Sequence, residues 1–350
     1  MPKIREILSL AAASGASDVH ITTGLAPMMR IHGSLTAQPF EKLTAADTRE
    51  AACEIMDEEQ LRRFETQGEF DMSFSLEGLG RYRVNVFRQQ GNVAMAFRLI
   101  STRIPSTEEL GLPASVADLY QRKRGLVLVT GPTGSGKSTT LAAIIDKVNS
   151  CRDAHIITLE DPVEYLHPHK RSMVNQREIG QDTRSYADAL RAALREDPDV
   201  ILVGEMRDYE TIQVAVTAAE TGHLVLSTLH TIGAASTVDR IIDVFPPHQQ
   251  QQIRVQLSNV LEAIISQQLI PRADGAGRVA AFEVLHASIA VRNLIREGKS
   301  YQIPSVMQTG RRQGMISMDE AIAQLVREGR ITRQMALAFA QDPAAMESRP

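Results

Sequence analysis

The feature that most restricts what this chain can become is an apolar run that ends in a glycine-rich loop. Gly125-Leu126-Val127-Leu128-Val129-Thr130 leads directly into Gly131-Pro132-Thr133-Gly134-Ser135-Gly136-Lys137-Ser138. The octet matches G-x-x-x-x-G-K-[ST], in the context that motif requires: a short strand before it and a helix-compatible stretch, Thr139 to Val148, after it. A strand apolar at every position is one buried on both faces, as in a parallel sheet covered by helices. The glycines let the backbone wrap closely around phosphate oxygens. The loop N–H groups and the helix N-terminus behind them supply positive potential. Lys137 is then the group that neutralises the β- and γ-phosphates, and the Ser138 hydroxyl the one that ligates Mg²⁺. The candidate nucleotide-binding residues are Gly131, Pro132, Thr133, Gly134, Ser135, Gly136, Lys137, Ser138 and Thr139.

Three further runs repeat the buried-strand character: Ile156-Ile157-Thr158-Leu159, Val200-Ile201-Leu202-Val203 and Leu224-Val225-Leu226. Helical segments separate them, which predicts a mostly parallel α/β sheet. In such sheets ligands sit at the carboxyl ends of the strands. Carboxylates stand there in Glu160-Asp161-Pro162-Val163-Glu164 and in Gly204-Glu205. The second has the form of a Walker B segment, whose acid holds Mg²⁺ directly or through water. Hydrolysis also requires a group that orients or deprotonates water. Glu164 and Glu205 are both candidates, and the residues alone do not choose between them. Any one of Glu160, Asp161 and Glu164 can instead face solvent or cap a helix. His223 precedes one strand and His230 follows it, on the expected nucleotide side; a histidine beside a sheet is as readily structural as functional. His155 and His286 read as structural.

The chain has 350 residues, enough for two domains. Residues 1–100 read as α+β. A helix is predicted over 4–14 and a longer one over 44–66. Strands are predicted at 18–22, 70–76, 81–88 and 92–99, with Gly78-Leu79-Gly80 suited to a hairpin. In the 81–88 strand Tyr82, Val84 and Val86 share one face, and Arg81 and Arg83 the other. Residues 101–113, with Pro105, Gly111 and Pro113, read as a linker. Residues 114–350 form the second domain, mostly helical beyond about 248; the stretch from about 340 reads as disordered. No apolar run approaches the roughly 18 residues of a membrane helix. Lys3 and Arg5 ahead of Ile7 to Ala13 imitate a signal peptide. Glu6 interrupts that pattern, and Ile4, Ile7, Leu8, Ala11 and Ala12 fall at helical spacing, which favours an amphipathic first helix. A net charge of −4, 4% aromatic residues and no Trp weigh against a nucleic-acid translocase. Cys53 and Cys151 form neither a metal framework nor a disulfide scaffold, and fit a reducing compartment.

Together these segments resemble the secretion ATPase superfamily, and within it the pilus retraction ATPases, over nearly the whole chain. Ser17-Asp18-Val19-His20 and Pro27 to Gly33 are similar to that family's PAS-like N-terminal domain. Gly131 to Thr140 resembles its Walker A, Ile157 to His167 its Asp box, Asp197 to Asp208 its Walker B, and Thr221 to Thr231 its His box. Ala290 to Glu297, AVRNLIRE, resembles the AIRNLIRE motif tied in the family to retraction, with Val291 the one change. Arg292, Asn293 and Arg296 are its candidates for outward contact. Ile232 and Gly233 depart from the polar residues usual after His230.

The resemblance implies a PAS-like α+β domain followed by a RecA-like P-loop ATPase domain, with ATP and Mg²⁺ as cofactors. It implies Glu164 as general base, Glu205 as the Walker B acid, and His223 and His230 near the nucleotide, coupling it to domain position. It also implies that N-domain arginines reach the triphosphate, with Arg81 and Arg83 the candidates ahead of Arg88 and Arg98. The implied assembly is a hexameric ring at the cytoplasmic face of the inner membrane, working on a pilus platform protein, with no membrane span and no nucleic acid. Hydrolysis would change the angle between domains across the linker and power pilus retraction and twitching motility. The rivals are an accessory retraction paralogue, a secretion or extension ATPase, or a non-enzymatic ring. Extension ATPases usually carry additional N-terminal domains and a tetracysteine zinc site, and two cysteines cannot build that site.

Overall fold

A computed structural model describes residues 3–31, 33–100 and 103–348. His32, Ser101 and Thr102, which fall in the expected N-terminal motif and linker, lie outside the described residues. The chain divides into two compact units. One is Met1–Arg103 with Glu164–Leu166; the other is Ile104–Val163 with His167–Pro350.

The first unit contains α1 (Ile4–Ala13), β1 (Asp18–Ile21), β2 (Met28–Ile31), β3 (Ser34–Ala37), α2 (Ala45–Ile55), α3 (Glu58–Gln67), β4 (Glu69–Leu76), β5 (Gly80–Gln89) and β6 (Asn92–Ile100). Its sheet runs β3-β2-β1-β6-β5-β4, antiparallel throughout. The apolar stripe of α1 (Ile4, Ile7, Leu8, Ala11) packs with α2 and Phe64 of α3 against Val19, Met29, Tyr82, Val84, Val86 and Phe97 of the sheet. The single helix expected over 44–66 is two helices. Met56 is extended, and Asp57 accepts the backbone N–H groups of Glu59 and Gln60 in a capping box. A fresh N-cap starts a new helix even where apolar spacing runs on.

The second unit contains α4 (Ala114–Ala117), β7 (Gly125–Thr130), α5 (Lys137–Cys151), β8 (His155–Glu160), β9 (Met173–Glu178), α6 (Tyr186–Ala193), β10 (Val200–Val203), α7 (Tyr209–Glu220), β11 (Leu224–Leu229), α8 (Ala234–Asp243), α9 (Pro247–Val260), β12 (Leu261–Pro271), β13 (Arg278–His286), α10 (Ile289–Arg296), α11 (Ile303–Thr309), α12 (Met318–Arg327), α13 (Arg333–Phe339) and α14 (Pro343–Glu347). Its seven strands run β13-β12-β7-β11-β10-β8-β9, parallel except for β13. Alternate residues of one strand enter opposite cores. Leu126, Leu128, Ile201 and Val203 pack on one side; Val127, Val129, Val200 and Leu202 pack on the other. That is why these strands read as unbroken apolar runs.

The region beyond 248 is mostly helical, as expected, with one addition: β12 and β13 form a hairpin that extends the sheet beside β7. One expectation for this unit is corrected, because residues 341–348 are not disordered. Gln341 and Asp342 donate backbone N–H groups to Asp319 at 2.7 and 3.0 Å, Asp342 caps α14, and Met346 is buried in a fourth core. No helix among the described residues is long and apolar enough to cross a membrane.

Candidate active site

The phosphate loop joins β7 to α5 at the carboxyl edge of the parallel strands. Gly131, Gly134 and Gly136 all have positive φ, at 137°, 76° and 88°. Space is restricted as well as conformation. A Cβ at Gly131 would lie 2.3 Å from the Gln267 carbonyl oxygen, and one at Gly136 2.9 Å from Gln267 Nε2. Gly136 gives α5 no side-chain cap, so its first N–H groups are available to an anion. Lys137 is buried, and its Nζ donates to the carbonyls of Gly131 and Pro132 at 2.9 and 3.0 Å. Ser138 and Thr139 are half-buried in the first turn of α5. The buried hydroxyls of Thr130 and Ser135 have no protein partner among the described residues. A cradle of this shape, with spare polar capacity, fits a bound triphosphate.

Gln267 of β12 is the residue that the motif does not announce. Its Nε2 donates to the Ser135 carbonyl at 2.6 Å, and its Oε1 accepts from Thr140 Oγ1 at 2.8 Å. One buried carboxamide thus holds the loop and the start of α5 together. The register Ser266–Thr130 between β12 and β7 places it there.

The carboxylates gather at the ends of the neighbouring strands. Glu205 follows β10 and is mostly buried; its Oε2 lies 2.6 Å from Arg207 Nε and 3.3 Å from His230 Nε2. Glu160 ends β8 and accepts from Thr158 and Gln176. Tyr186, at the start of α6, is pushed up by burial first and then by the negative charges of Asp161, Glu205 and Glu160. Its phenol would be 3.0 Å from any Cβ at Gly204. It therefore packs under the turn that presents Glu205, a position no motif marked. Glu164 is exposed and falls in the short stretch grouped with the first unit. Further along that segment, burial draws His167 down to about 4, so its ring is neutral.

The two histidines separate. His230, exposed, leaves β11 at its carboxyl end beside Glu205. His223 precedes the same strand, level with Gly125 rather than with the loop. A six-residue strand puts roughly 20 Å between them. His223 Nδ1 lies 3.0 Å from the Ala218 carbonyl and 3.3 Å from Thr221 Oγ1. It thus engages the end of α7, and the fold does not bring it to this chain's own phosphate loop.

In the first unit, Arg81 is half-buried and Arg83 exposed on the sheet face opposite the helices. Arg83 stands across from Arg98, which donates to Asp18 at 2.9 Å. Burial opposes ionisation of Asp18, but hydrogen bonds from Ser17 and Arg98 hold its carboxyl below the usual range.

In α10 the outward expectation for Arg292 is corrected. Its guanidinium donates to the carbonyls of Ala287, Ser258 and Asn259 and to Glu262 Oε1, at 2.7 to 3.0 Å. It thereby caps the C-terminus of α9, whose last carbonyls lack intrahelical partners. Asn293 and Arg296 are exposed, as is Ile289.

Residues 1–343 match the family described as type II/IV secretion system protein, and the chain belongs to that family. Its homologues include pilus retraction ATPases. A twitching motility protein of Neisseria gonorrhoeae is 50% identical over 320 residues, 91% of this chain and 86% of that one. The type IV pilus retraction ATPase PilT of Pseudomonas aeruginosa is 47% identical over 340 residues, 97% and 98% of the two chains. The crystal structure of the pilus retraction motor PilT with bound ADP superposes with a TM-score of 0.94 at 50% identity, covering 100% of both chains. The fold is therefore α/β, an N-terminal α+β domain followed by a RecA-like ATPase domain, as the resemblance implied.

Proposed function

We propose that this chain hydrolyses ATP and that its turnover powers type IV pilus retraction. The observation that carries this is the near full-length likeness to retraction ATPases, joined to an intact phosphate cradle with Glu205 and His230 beside it. Lys137 neutralises the β- and γ-phosphates. Ser138 and Glu205 are hard oxygen donors of the kind Mg²⁺ takes, Glu205 directly or through water. Among the described residues no group of three or more His, Cys, Asp or Glu side chains forms a metal cage. The cation would thus take its remaining ligands from phosphate oxygens and water, as is usual for Mg²⁺ at a triphosphate. Glu164 acts as general base, and Arg81 and Arg83 supply positive charge to the triphosphate. His230 reports the nucleotide state to Glu205. His223 has no part at its own chain's loop. The active form is a hexameric ring of 101–113-hinged protomers at the cytoplasmic face of the inner membrane, acting on a platform protein there.

The test is deletion of the gene with complementation by wild type or Glu164→Gln. Wild type should restore twitching, and Glu164→Gln should leave cells piliated but unable to twitch. Bald cells on deletion would assign the chain to extension instead.

A further inference from the structure

Helix α8 begins four residues after His230, and it begins without a cap of its own: Gly233 stands at the N-cap and has no side chain. The first N–H groups of an uncapped helix need partners when buried. Here they come from the β12–β13 hairpin. Ser266 and Glu283 are cross-strand partners on that hairpin. Ser266 Oγ accepts the Gly233 N–H at 3.0 Å, and Glu283 Oε1 accepts the Ala234 N–H at 2.7 Å. The other oxygen, Glu283 Oε2, accepts the N–H of Met318, the first residue of α12, at 3.3 Å. A Cβ at Gly233 would lie 3.7 Å from both Gln341 Nε2 and Glu283 Oε1, so the Gln341 amide sits near this carboxylate. Glu283 is 5% exposed and Ser266 fully buried. The turn is closed further by Thr231 and Thr237, whose hydroxyls lie 2.7 Å apart.

We propose that Glu283 is a positioning residue for ATP turnover: it fixes the 231–234 turn, and through it His230 beside Glu205, and ties that turn to α12 and the C-terminal segment. It touches neither phosphate nor Glu205. Helix N-termini favour a carboxylate, and one carboxylate spanning two of them makes the turn and α12 move as a single body. Burial and the nearby charge of Asp319 push its pKa up, against the lowering effect of its donors.

The inference rests on the assignment of His230 to the nucleotide site, so His230→Ala belongs in the same experiment. Phosphate release and titration with a fluorescent ADP analogue are measured on the full chain, with thermal midpoints alongside. Glu283→Gln keeps one acceptor but sets its amide against a backbone N–H. It should lower kcat about tenfold, the kinetic equivalent of one charge-assisted hydrogen bond, while KM and the ADP affinity stay within about twofold. Glu283→Asp, with both oxygens but a shorter reach, should fall between Gln and wild type. Ser266→Ala, the mildest change, should show the same split at about threefold. Wild-type kcat in Glu283→Gln, or kcat and ADP affinity lost together, overturns the inference. If Glu283→Gln does not fold, wild-type kcat in Ser266→Ala overturns it. A slow His230→Ala beside a normal Glu283→Gln sinks this inference alone; a normal His230→Ala sinks the site assignment and this with it.

Discussion

The Gln267 carboxamide reaches the phosphate loop from 130 or so residues downstream in sequence. It satisfies the Thr140 hydroxyl and the Ser135 carbonyl, both in a dry environment. Gln267→Leu is close in volume and removes both bonds at once. Each buried polar group left unsatisfied costs about 1–3 kcal/mol, and the strain falls on the loop conformation that receives phosphate. ADP affinity should therefore weaken at least tenfold, with the fold retained; titration with a fluorescent ADP analogue measures it, and unchanged affinity would remove Gln267 from the site. The contrast with its neighbours explains what the sequence makes readable at this scale. Gly131 to Ser138 is legible because the chemistry of phosphate binding is local: glycines, a lysine and a hydroxyl at fixed spacing, between a strand and a helix. Gln267 is not legible because its place depends on β12 lying next to β7, a fact of strand order that no local spacing encodes. Tyr186 and Glu283 escape notice for the same reason. His223 differs: the residues already put it before the strand and His230 after it, and only the resemblance implied a place near the nucleotide, which this chain's own loop does not offer it.

At the scale of elements, the runs of Val, Ile and Leu around 126, 157, 201 and 225 announce central parallel strands, since both faces of each are buried. The β12–β13 hairpin is harder to see. Its first strand follows α9 with no breaker between Val260 and Leu261, and Ser266 and Gln267 interrupt its apolar run. The turn residues Asp274-Gly275-Ala276-Gly277 carry the signal that distinguishes it from helix. The 290–297 motif is half structural for a related reason. Arg292 looks exposed on a helical wheel, but α10 is only eight residues long and abuts the end of α9. Arg292→Ala removes donors from two helix-terminal carbonyls and one of the two arginine partners of half-buried Glu262, the other being Arg122. It should cost about 2–3 kcal/mol, seen as a lower urea midpoint. Asn293→Ala and Arg296→Ala should leave the unfolding free energy within about 0.5 kcal/mol of wild type, as surface substitutions do. Equal losses at all three positions would show that Arg292 is not the cap described.

At the scale of the whole molecule, the proposed function draws on residues of both units. The second holds the phosphate cradle with Lys137 and Ser138, and Glu205 and His230 at the ends of neighbouring strands. In the proposed hydrolysis, charge spreads over the transferred phosphoryl group, where further cationic groups would add stabilisation. The first unit carries a cationic row across its open sheet face: Arg30, Asp18, Arg98 and Arg83 lie side by side on β2, β1, β6 and β5. Asp18 is the one carboxylate in that row and is engaged with Arg98 and Arg30. Like charges directly opposed across strands are unfavourable, so Arg83 facing Arg98 is a cost that a bound anion would relieve. If these guanidiniums stabilise the transition state, their removal should affect rate and spare ground-state binding. Arg83→Ala is expected to reduce kcat by about 10³-fold or more, the range for arginines that act on a transferring phosphoryl group, with ADP affinity nearly unchanged. Arg81→Ala should act in the same direction. Arg88→Ala, farther along β5, should have the smaller effect. The measurement is steady-state phosphate release on assembled protein, with sedimentation to show that the variants keep the wild-type oligomeric state. Wild-type turnover in both Arg81→Ala and Arg83→Ala would return the row to an ordinary solvated face and leave the engine's charge stabilisation to the second unit.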